Sequence, residues 1–207
     1  IKGLTNEYDG AAYFIENGKV VEVPCFEYLE NLDFKNIGKL EAAVTSGGLS
    51  TMPWTYEGEL DVLHNKTLRY QGHWEQMKAF RELGLFQEAP ISFNNTKISP
   101  REFYHHLLSS KLEQDNNKDI CLMRVKTIGE DKGEGKTVVI DIQERYDDKT
   151  GFLAMEKWTG WHASIVMIEI LNGNIPDGAI PIEKALSGRV FNKRALERSY
   201  NIEIRST

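Results

Sequence analysis

Cysteine, long apolar runs and clustered charge of one sign are all scarce in this sequence. The two cysteines, Cys25 and Cys121, lie far apart, with no C-x-x-C and no histidine at metal-ligand spacing. A disulfide scaffold and a structural zinc site are therefore disfavoured, and we expect two small buried side chains in a reducing compartment such as the cytoplasm. No stretch approaches the ~18 apolar residues that a membrane helix needs, so we expect no membrane partner.

Basic residues are scattered and are outnumbered by acidic ones, 25 against 31, for a net charge of −6. Contact with the phosphates of nucleic acid needs clustered Lys and Arg, so nucleic acid is not an expected partner. The 207 residues are 41% hydrophobic, which is ordinary for a globular domain with a buried core. A local basic pocket for a carboxylate-bearing substrate remains compatible with this composition.

The motifs of several self-contained enzyme classes are missing as well. No G-x-G-x-x-G follows a strand, so these residues do not encode a dinucleotide fold. No G-x-S-x-G, H-E-x-x-H or EF-hand loop occurs, and we expect no metal site. Residues 129–137 resemble a phosphate-binding loop, but five residues separate Gly129 from Gly135 and the segment leads into a strand. We interpret it as a hairpin loop, because a phosphate-binding loop must open a helix.

Strand-like and helical patterns follow one another without the regular βαβ order of a doubly wound sheet, which predicts an α+β fold. Asn17-Gly18 predicts a tight turn within a hairpin over residues 11–23. Further strands are predicted at residues 41–45 and 66–70. A helix is predicted from His73 to just before Gly84, and a second one after the capping box Ser99-Pro-Arg-Glu102.

The last third of the chain predicts a three-stranded meander followed by helices. Its strands are placed at residues 120–128, 137–145 and 152–157. Thr159 is then the N-cap of a helix over residues 160–172, ended by Gly173, and a final helix over residues 192–200 precedes a strand at 202–204. With neither repeats nor a Ser- or Pro-rich linker, one domain is the predicted organisation.

Arg69 is the most informative charged residue, because it sits in a strand-like, apolar-flanked pentapeptide. A guanidinium there needs a carboxylate partner, either an internal Asp or Glu or the carboxylate of a substrate. His73 and His162 are each predicted at a helix start after a glycine, where either can belong to a site. The neighbours His105 and His106 are predicted to be solvated or half-buried.

Ser46-Gly-Gly-Leu-Ser-Thr51 is a hydroxyl-rich turn, either a plain loop or a cradle for a polar ligand.

Several of these segments, in this order, resemble the saccharopine dehydrogenase family, which includes saccharopine reductase, lysine 6-dehydrogenase and carboxynorspermidine dehydrogenase. The resembling stretches begin with Gly3-Leu-Thr-Asn-Glu-Tyr8, Thr45-Ser-Gly-Gly-Leu-Ser-Thr51 and Lys66-Thr-Leu-Arg-Tyr-Gln-Gly-His73. They continue through Tyr146-Asp-Asp-Lys-Thr-Gly-Phe152 to Pro181-Ile-Glu-Lys184.

The resemblance implies an α+β substrate-binding and dimerisation domain with a mixed, largely antiparallel sheet, here spanning residues 1–207. The sequence begins Ile1-Lys2-Gly3 without methionine, so we expect a longer chain whose upstream Rossmann domain binds NAD(P). The implied reaction is hydride transfer between a nicotinamide and the C–N bond of an amino-acid substrate. We expect the 207 residues alone to be inactive, and the enzyme to be a homodimer.

The site residues implied by the resemblance are Thr67, Leu68 and Arg69, with Arg69 holding a carboxylate. Ser50 and Thr51 are added as substrate contacts and His73 as a further polar contact, whereas no catalytic residue is assigned.

Two departures from relatives are notable. Fungal-type reductases carry Asn-Arg-Asp-Ser where this chain has Gly47-Gly-Leu-Ser50, a form that looks more like the lysine 6-dehydrogenase branch. Lys157 stands where relatives commonly carry an arginine. The alternatives are therefore a lysine 6-dehydrogenase, a carboxynorspermidine dehydrogenase, or a module for binding or dimerisation without catalysis.

Overall fold

The structure is a computed structural model that describes residues 2–112 and 118–207. The chain divides into two compact units, Ile1–Gln114 (unit 1) and Asp115–Thr207 (unit 2). The sequence predicted a single substrate-binding domain over residues 1–207, and this division into compact units leaves that a prediction.

Unit 1 combines small antiparallel sheets with short helices. Its elements in chain order are α1 (Lys2–Asn6), β1 (Ala11–Glu16), β2 (Lys19–Pro24), β3 (Glu30–Phe34), β4 (Gly38–Ala43), α2 (Met52–Thr55), β5 (Val62–Leu63), β6 (Thr67–Tyr70), α3 (His73–Glu82), β7 (Ile91–Phe93), β8 (Thr96–Ile98) and α4 (Pro100–Leu112). The sheet orders are β2-β1-β5, β3-β4-β6 and the pair β7-β8. Strand β6 is thus an edge strand, paired with β4 alone in its sheet.

Local chemistry accounts for the elements that the sequence predicted correctly in unit 1. The β1–β2 turn places Asn17 and Gly18 at φ 51° and 75°, the left-handed values that a tight hairpin turn requires. Helix α3 ends before Gly84, at φ 87°. Helix α4 begins where the capping box predicts, and the Ser99 Oγ accepts a 3.3 Å hydrogen bond from the backbone N–H of Glu102.

Two apolar clusters form the core of unit 1. One lies beneath β1 and β2 and contains Ala12, Phe14, Val23 and Val44. The other is largely aromatic and contains Tyr8, Ala43, Trp74, Phe86 and Tyr104. The second cluster joins the chain before β1 to α3 and α4, and it surrounds the side chains considered below as a site.

Unit 2 is a three-stranded antiparallel sheet packed with helices. Its elements are β9 (Ile120–Asp131), β10 (Glu134–Arg145), α5 (Ala154–Leu171), α6 (Ile182–Ala185), α7 (Gly188–Glu197) and β11 (Ile202–Ser206), with sheet order β11-β10-β9. Lys132 and Gly133 form the β9–β10 turn at φ 58° and 85°, which agrees with the predicted hairpin loop. The core contains Ile142, Ile165, Ala195 and Tyr200.

The predicted third strand at residues 152–157 is wrong, because α5 begins at Ala154 and the third strand is β11. Thr159 is consequently inside the helix and is not its N-cap. The cap comes from Asp119, whose two carboxylate oxygens accept the backbone N–H groups of Ala154 and Met155 at 2.6 and 2.9 Å. The Glu156 carboxylate also accepts the Leu153 N–H, at 2.9 Å, but Asp119 lies 35 residues upstream of Ala154, where a local pattern cannot include it.

The helix start predicted at His162 is wrong for the same reason, since His162 lies within α5. Its ring contacts that of Phe191 edge to face, at 5.1 Å between centroids.

Helix α7 begins at Gly188, earlier than predicted, because the Ser187 Oγ accepts the N–H of Val190 at 3.3 Å. The α+β class with largely antiparallel sheets is confirmed, and none of the described helices is long and apolar enough to cross a membrane.

Candidate functional site

Arg69 lies on the edge strand β6, opposite Glu41 of β4. Its guanidinium is half-buried, and the Nη2 atom forms a 2.9 Å ion pair with the carboxylate of Glu7. The Nε atom donates to the Tyr8 hydroxyl at 3.2 Å, and Nη1 donates to the Leu68 carbonyl at 2.9 Å. A guanidinium has five N–H groups, so these bonds leave one N–H on each terminal nitrogen for another acceptor.

Tyr8 connects Arg69 to His73. Its side chain is 1% exposed. Its ring contacts those of Phe26 and Trp74, at 5.9 and 5.8 Å between centroids. The hydroxyl is also 2.8 Å from the His73 Nε2 atom. Because the phenol oxygen accepts a hydrogen bond from Arg69, its own hydrogen is available for donation to His73.

His73 is the first residue of α3, as the sequence predicted. Gly72 precedes it at φ 84°, and the Gly72 N–H donates to the Glu41 carboxylate at 3.0 Å. Burial lowers the pKa of His73, and the nearby charge of Arg69 lowers it further, while Glu41 acts in the opposite direction. The imidazole is therefore held in its neutral form, which suits acceptance of a hydrogen bond from Tyr8.

Tyr8 is the member of this group that sequence reasoning missed. It belongs to a stretch quoted for the family resemblance, but nothing in the local pattern distinguishes it from a core tyrosine. Its contacts with Arg69 and His73 span 61 and 65 positions of sequence. Only folding brings these three residues together.

The remaining predicted substrate contacts divide into two groups. Thr67 is part-buried on β6, and its hydroxyl is 2.7 Å from that of Thr45, while Leu68 contributes its carbonyl to Arg69. Ser50 and Thr51 are exposed residues just before α2. None of the hydrogen bonds of Arg69, Tyr8 or His73 described above involves them, so their role stays a prediction.

The Ser46–Thr51 turn itself is closely packed at one glycine. Gly48 has φ 95°, and a Cβ there would lie 2.9 Å from the Asn65 Oδ1 atom. A side chain at Gly48 would therefore displace Asn65 as well as strain the backbone.

The adjacent histidines in α4 have different environments. His106 is exposed, whereas His105 is buried, and its Nε2 atom is 2.7 Å from the hydroxyl of buried Thr5. The prediction that both would be solvated or half-buried is thus wrong for His105. The helix turns by about 100° per residue, which places one ring inside and the next outside.

Arg101 is a second guanidinium in unit 1, and its contacts indicate a structural role. It donates to the Phe86 carbonyl at 2.6 Å and to Asn6 at 3.2 Å, and it pairs with Asp9 and Glu88. All of these acceptors belong to the chain itself, so Arg101 links α4 to the segment around α1.

Unit 2 contains a buried ion pair between Lys157 of α5 and Glu144 of β10. The Lys157 Nζ atom is 2.7 Å from Glu144 Oε2, and the two side chains are only 9% and 5% exposed. The other Glu144 oxygen accepts the Asn201 N–H at 2.7 Å. The Lys157 ammonium is therefore committed to a partner inside unit 2.

Within residues 2–112 and 118–207, no group of three or more His, Cys, Asp or Glu side chains is arranged to hold a metal ion. Both cysteines are buried and free, and burial raises the pKa of each thiol. The candidate binding groups of unit 1 are the Arg69 guanidinium, which retains two N–H groups, and the His73 imidazole, whereas the buried Tyr8 hydroxyl is bonded to both.

The fold is of the α+β class, and its candidate site is a half-buried arginine positioned by a tyrosine next to a neutral histidine. The family model described as the saccharopine dehydrogenase C-terminal domain matches residues 1–199. With nearly the whole chain matched, the protein belongs to the saccharopine dehydrogenase family, as its C-terminal domain.

A solved structure supports the same fold. It is the apo, histidine-tagged saccharopine dehydrogenase (L-Glu forming) from Saccharomyces cerevisiae, to which this chain is similar with a TM-score of 0.72. The sequences are 14% identical, and the match covers 100% of this chain but 61% of the yeast chain. At this identity the likeness establishes the fold, and this chain spans less than two thirds of the yeast protein.

Proposed function

We propose that this chain is the substrate-binding part of an NAD(P)-dependent, saccharopine dehydrogenase-like oxidoreductase of the cytoplasm. It acts on the C–N bond of an amino acid in lysine metabolism. The proposal rests on one observation, the Arg69 guanidinium that Tyr8 and Leu68 position in a member of this family. The substrate contacts are Thr67, Leu68, Arg69, Ser50 and Thr51, with His73 as a further polar contact.

The ion pair of Arg69 with Glu7 is compatible with substrate capture. The Glu7 side chain is 45% exposed, and a solvent-exposed pair of this kind contributes about 1 kcal/mol or less. A substrate carboxylate can therefore replace Glu7 on Nη2, or can use the remaining N–H groups, at small cost. Tyr8 and the Leu68 carbonyl meanwhile keep the guanidinium in place.

The cofactor in this proposal is NAD(P), bound mainly by a dinucleotide-binding domain outside the 207 residues. The nicotinamide supplies the hydride acceptor or donor. The residues described here bind and orient the amino acid. Because His73 is neutral, it places no second positive charge next to Arg69. The guanidinium is then the cation that pairs with the substrate carboxylate.

The experiment is a steady-state assay of the enzyme joined to its dinucleotide-binding domain. Lysine, saccharopine and carboxynorspermidine are each tested with NAD and with NADP. With the substrate that reacts, we expect Arg69→Gln to raise KM about tenfold or more, since a charge-assisted contact is lost. The kcat should change much less.

Lys66→Gln is the matched control, because Lys66 precedes the same strand and pairs instead with Glu30 at 2.8 Å. It should leave KM within about twofold of the unaltered enzyme, as expected for an exposed pair. The 207-residue chain alone should show no turnover. Equal effects of the two substitutions, or turnover by the isolated chain, would contradict the proposal.

A second candidate is a module for binding or dimerisation without catalysis, and two observations favour it. Every nitrogen of Arg69 already has a partner within the chain. On one face of the unit 2 sheet, Met123, Val125 and Ile204 are 40%, 43% and 54% exposed, in rows that the strand register aligns. Bound nucleotide without turnover of any of the three substrates would favour this module.

We include a homodimer in the proposed function, with this apolar face as its support. Sedimentation measures the oligomeric state of the unaltered chain and of Val125→Lys. We expect a dimer for the unaltered chain and a monomer for the variant.

A further inference from the structure

A cleft of about 500 Å³ opens on unit 2. It lies where the end of β10 and the following turn meet α5 and the C-terminal end of α7. Four basic side chains line it, namely Arg145, Lys149, Lys157 and Arg198, against two acidic ones. This excess of positive charge contrasts with the net charge of −6 for the whole chain.

The two carboxylates of the cleft are already used by other groups. Glu144 pairs with Lys157 and accepts the N–H of Asn201. Asp147 accepts the Lys149 backbone N–H and the Thr150 hydroxyl, both at 2.9 Å. These two bonds lower the pKa of Asp147.

Three of the basic side chains have no such partner. Among residues 2–112 and 118–207, no carboxylate oxygen lies within 4.0 Å of the side-chain nitrogens of Arg145, Lys149 or Arg198. Within the described residues, Arg198 donates to the Arg194 carbonyl at 3.2 Å. Four basic side chains against two carboxylates give the lining of the cleft a net positive charge, and a positive potential attracts anions.

Lys157 and Trp161, two of the lining residues, are held by contacts within unit 2. Lys157 is fixed by its bond to buried Glu144 and lies over the ring of Trp161, 5.0 Å from the centroid. The Trp161 ring packs edge to face on that of Tyr200, at 5.4 Å. The Tyr200 hydroxyl in turn donates to the backbone carbonyls of Lys157 and Trp158. The Trp161 indole and the side chains of Arg145 and Arg198 belong to the lining of this cleft.

We propose that this cleft binds the phosphate or carboxylate group of a small anionic molecule, with Arg145 and Arg198 as its main ligands. Guanidinium groups suit both oxyanions because they can donate two parallel hydrogen bonds. This site is separate from the Arg69 site, and it stands or falls independently of the proposed reaction. Comparing the affinities for a phosphate-bearing and a carboxylate-bearing anion shows which of the two groups the cleft binds more tightly.

The test titrates the 207-residue chain with inorganic pyrophosphate and, separately, with succinate. Binding is followed through the indole N–H signals in NMR spectra, with the Trp161 signal assigned from Trp161→Phe. We expect saturable shifts of that signal with at least one anion below about 10 mM. Tighter binding of pyrophosphate indicates a phosphate-bearing ligand, and tighter binding of succinate indicates a carboxylate-bearing one.

Two variants separate a built site from general charge attraction. Arg198→Gln should weaken binding about tenfold, which corresponds to about 1.4 kcal/mol. Arg189→Gln removes the same charge near the start of α7, about 13 Å away along the helix, and should change the affinity less than twofold.

Equal weakening by the two variants would overturn the proposal, as would the absence of saturable shifts at Trp161. Thermal unfolding of each variant establishes that the comparison is made between folded proteins.

Discussion

Each unit contains a cation paired with a carboxylate, and the two carboxylates differ in burial. This difference determines whether the cation can exchange its partner for a ligand. Arg69 in unit 1 pairs with Glu7, which is 45% exposed, whereas Lys157 in unit 2 pairs with Glu144, which is 5% exposed. Water competes for the first pair and can replace either member. Water has little access to the second pair, whose side chains are 9% and 5% exposed, so separation would leave an uncompensated and largely buried charge.

The difference separates a cation available to ligands from one committed to the fold. Arg69 retains N–H groups and a partner that a substrate carboxylate can replace. Lys157 is paired with buried Glu144 in the lining of the cleft, where Arg145 and Arg198 are the proposed ligands. The proposed contact in unit 1 is thus a half-buried guanidinium that Tyr8 and Leu68 position.

The largest effect that tests this comparison is expected from Lys157→Met. It leaves Glu144 buried without its partner, and breaking a buried pair in this way costs about 3–5 kcal/mol of unfolding free energy. Glu7→Gln in unit 1 should cost about 1 kcal/mol or less, because that pair is partly solvated. Urea unfolding of both variants measures the difference.

The double variant Lys157→Met with Glu144→Gln controls for packing. Removing both charges should recover a large part of the stability that Lys157→Met loses, since the unpaired carboxylate is gone. Equal destabilisation by Lys157→Met and Glu7→Gln would show that burial of the partner does not separate the two sites.

A smaller effect is expected at the helix starts, where the two units also differ. Asp119→Ala removes two side-chain oxygens that accept backbone N–H groups at the start of α5 and should lower the unfolding free energy by about 1–2 kcal/mol. Ser99→Ala at the start of α4 removes a single 3.3 Å bond and should cost about 0.5–1 kcal/mol.

Thermal unfolding of these two variants gives the comparison. A larger loss for Ser99→Ala than for Asp119→Ala would mean that the distant carboxylate contributes little to α5.

The smallest effect concerns pH and the site in unit 1. Burial lowers the pKa of His73 below its ordinary value of 6.5, so the unfolded chain takes up a proton before the folded chain does. The stability of unit 1 should therefore decrease as the pH falls below about 6.5, and this loss ends at the lower folded pKa. His73→Gln should remove this part of the pH dependence.

The measurement is the urea midpoint of both proteins at about pH 7.5 and pH 5.5, on either side of an ordinary histidine pKa. The difference between the two proteins should narrow or reverse at the lower pH, because only the unaltered chain carries His73. An unchanged difference would show that His73 titrates alike in the folded and unfolded states.

Sequence patterns predicted elements well wherever the determining residues are neighbours. The Asn17-Gly18 turn, the capping box at Ser99 and the glycine after α3 each specify a backbone geometry within a few positions. The prediction of the meander was wrong for its third strand, because α5 begins there and Asp119, a distant residue, caps that helix. The prediction for Arg69 was open for a similar reason, since its partners Glu7 and Tyr8 are 62 and 61 positions away.

The sequence by itself determined the α+β class, the β1–β2 and β9–β10 hairpins, the start of α4 and the identity of Arg69 and His73 as candidate site residues. These follow from composition, turn chemistry and caps, which act over a few residues. Tertiary structure alone decided that Tyr8 joins Arg69 to His73, that Lys157 is paired with Glu144, and that four basic side chains line one cleft. Each of these requires contacts between distant segments, and burial, which sets the strength of a charge interaction, exists only in the folded chain.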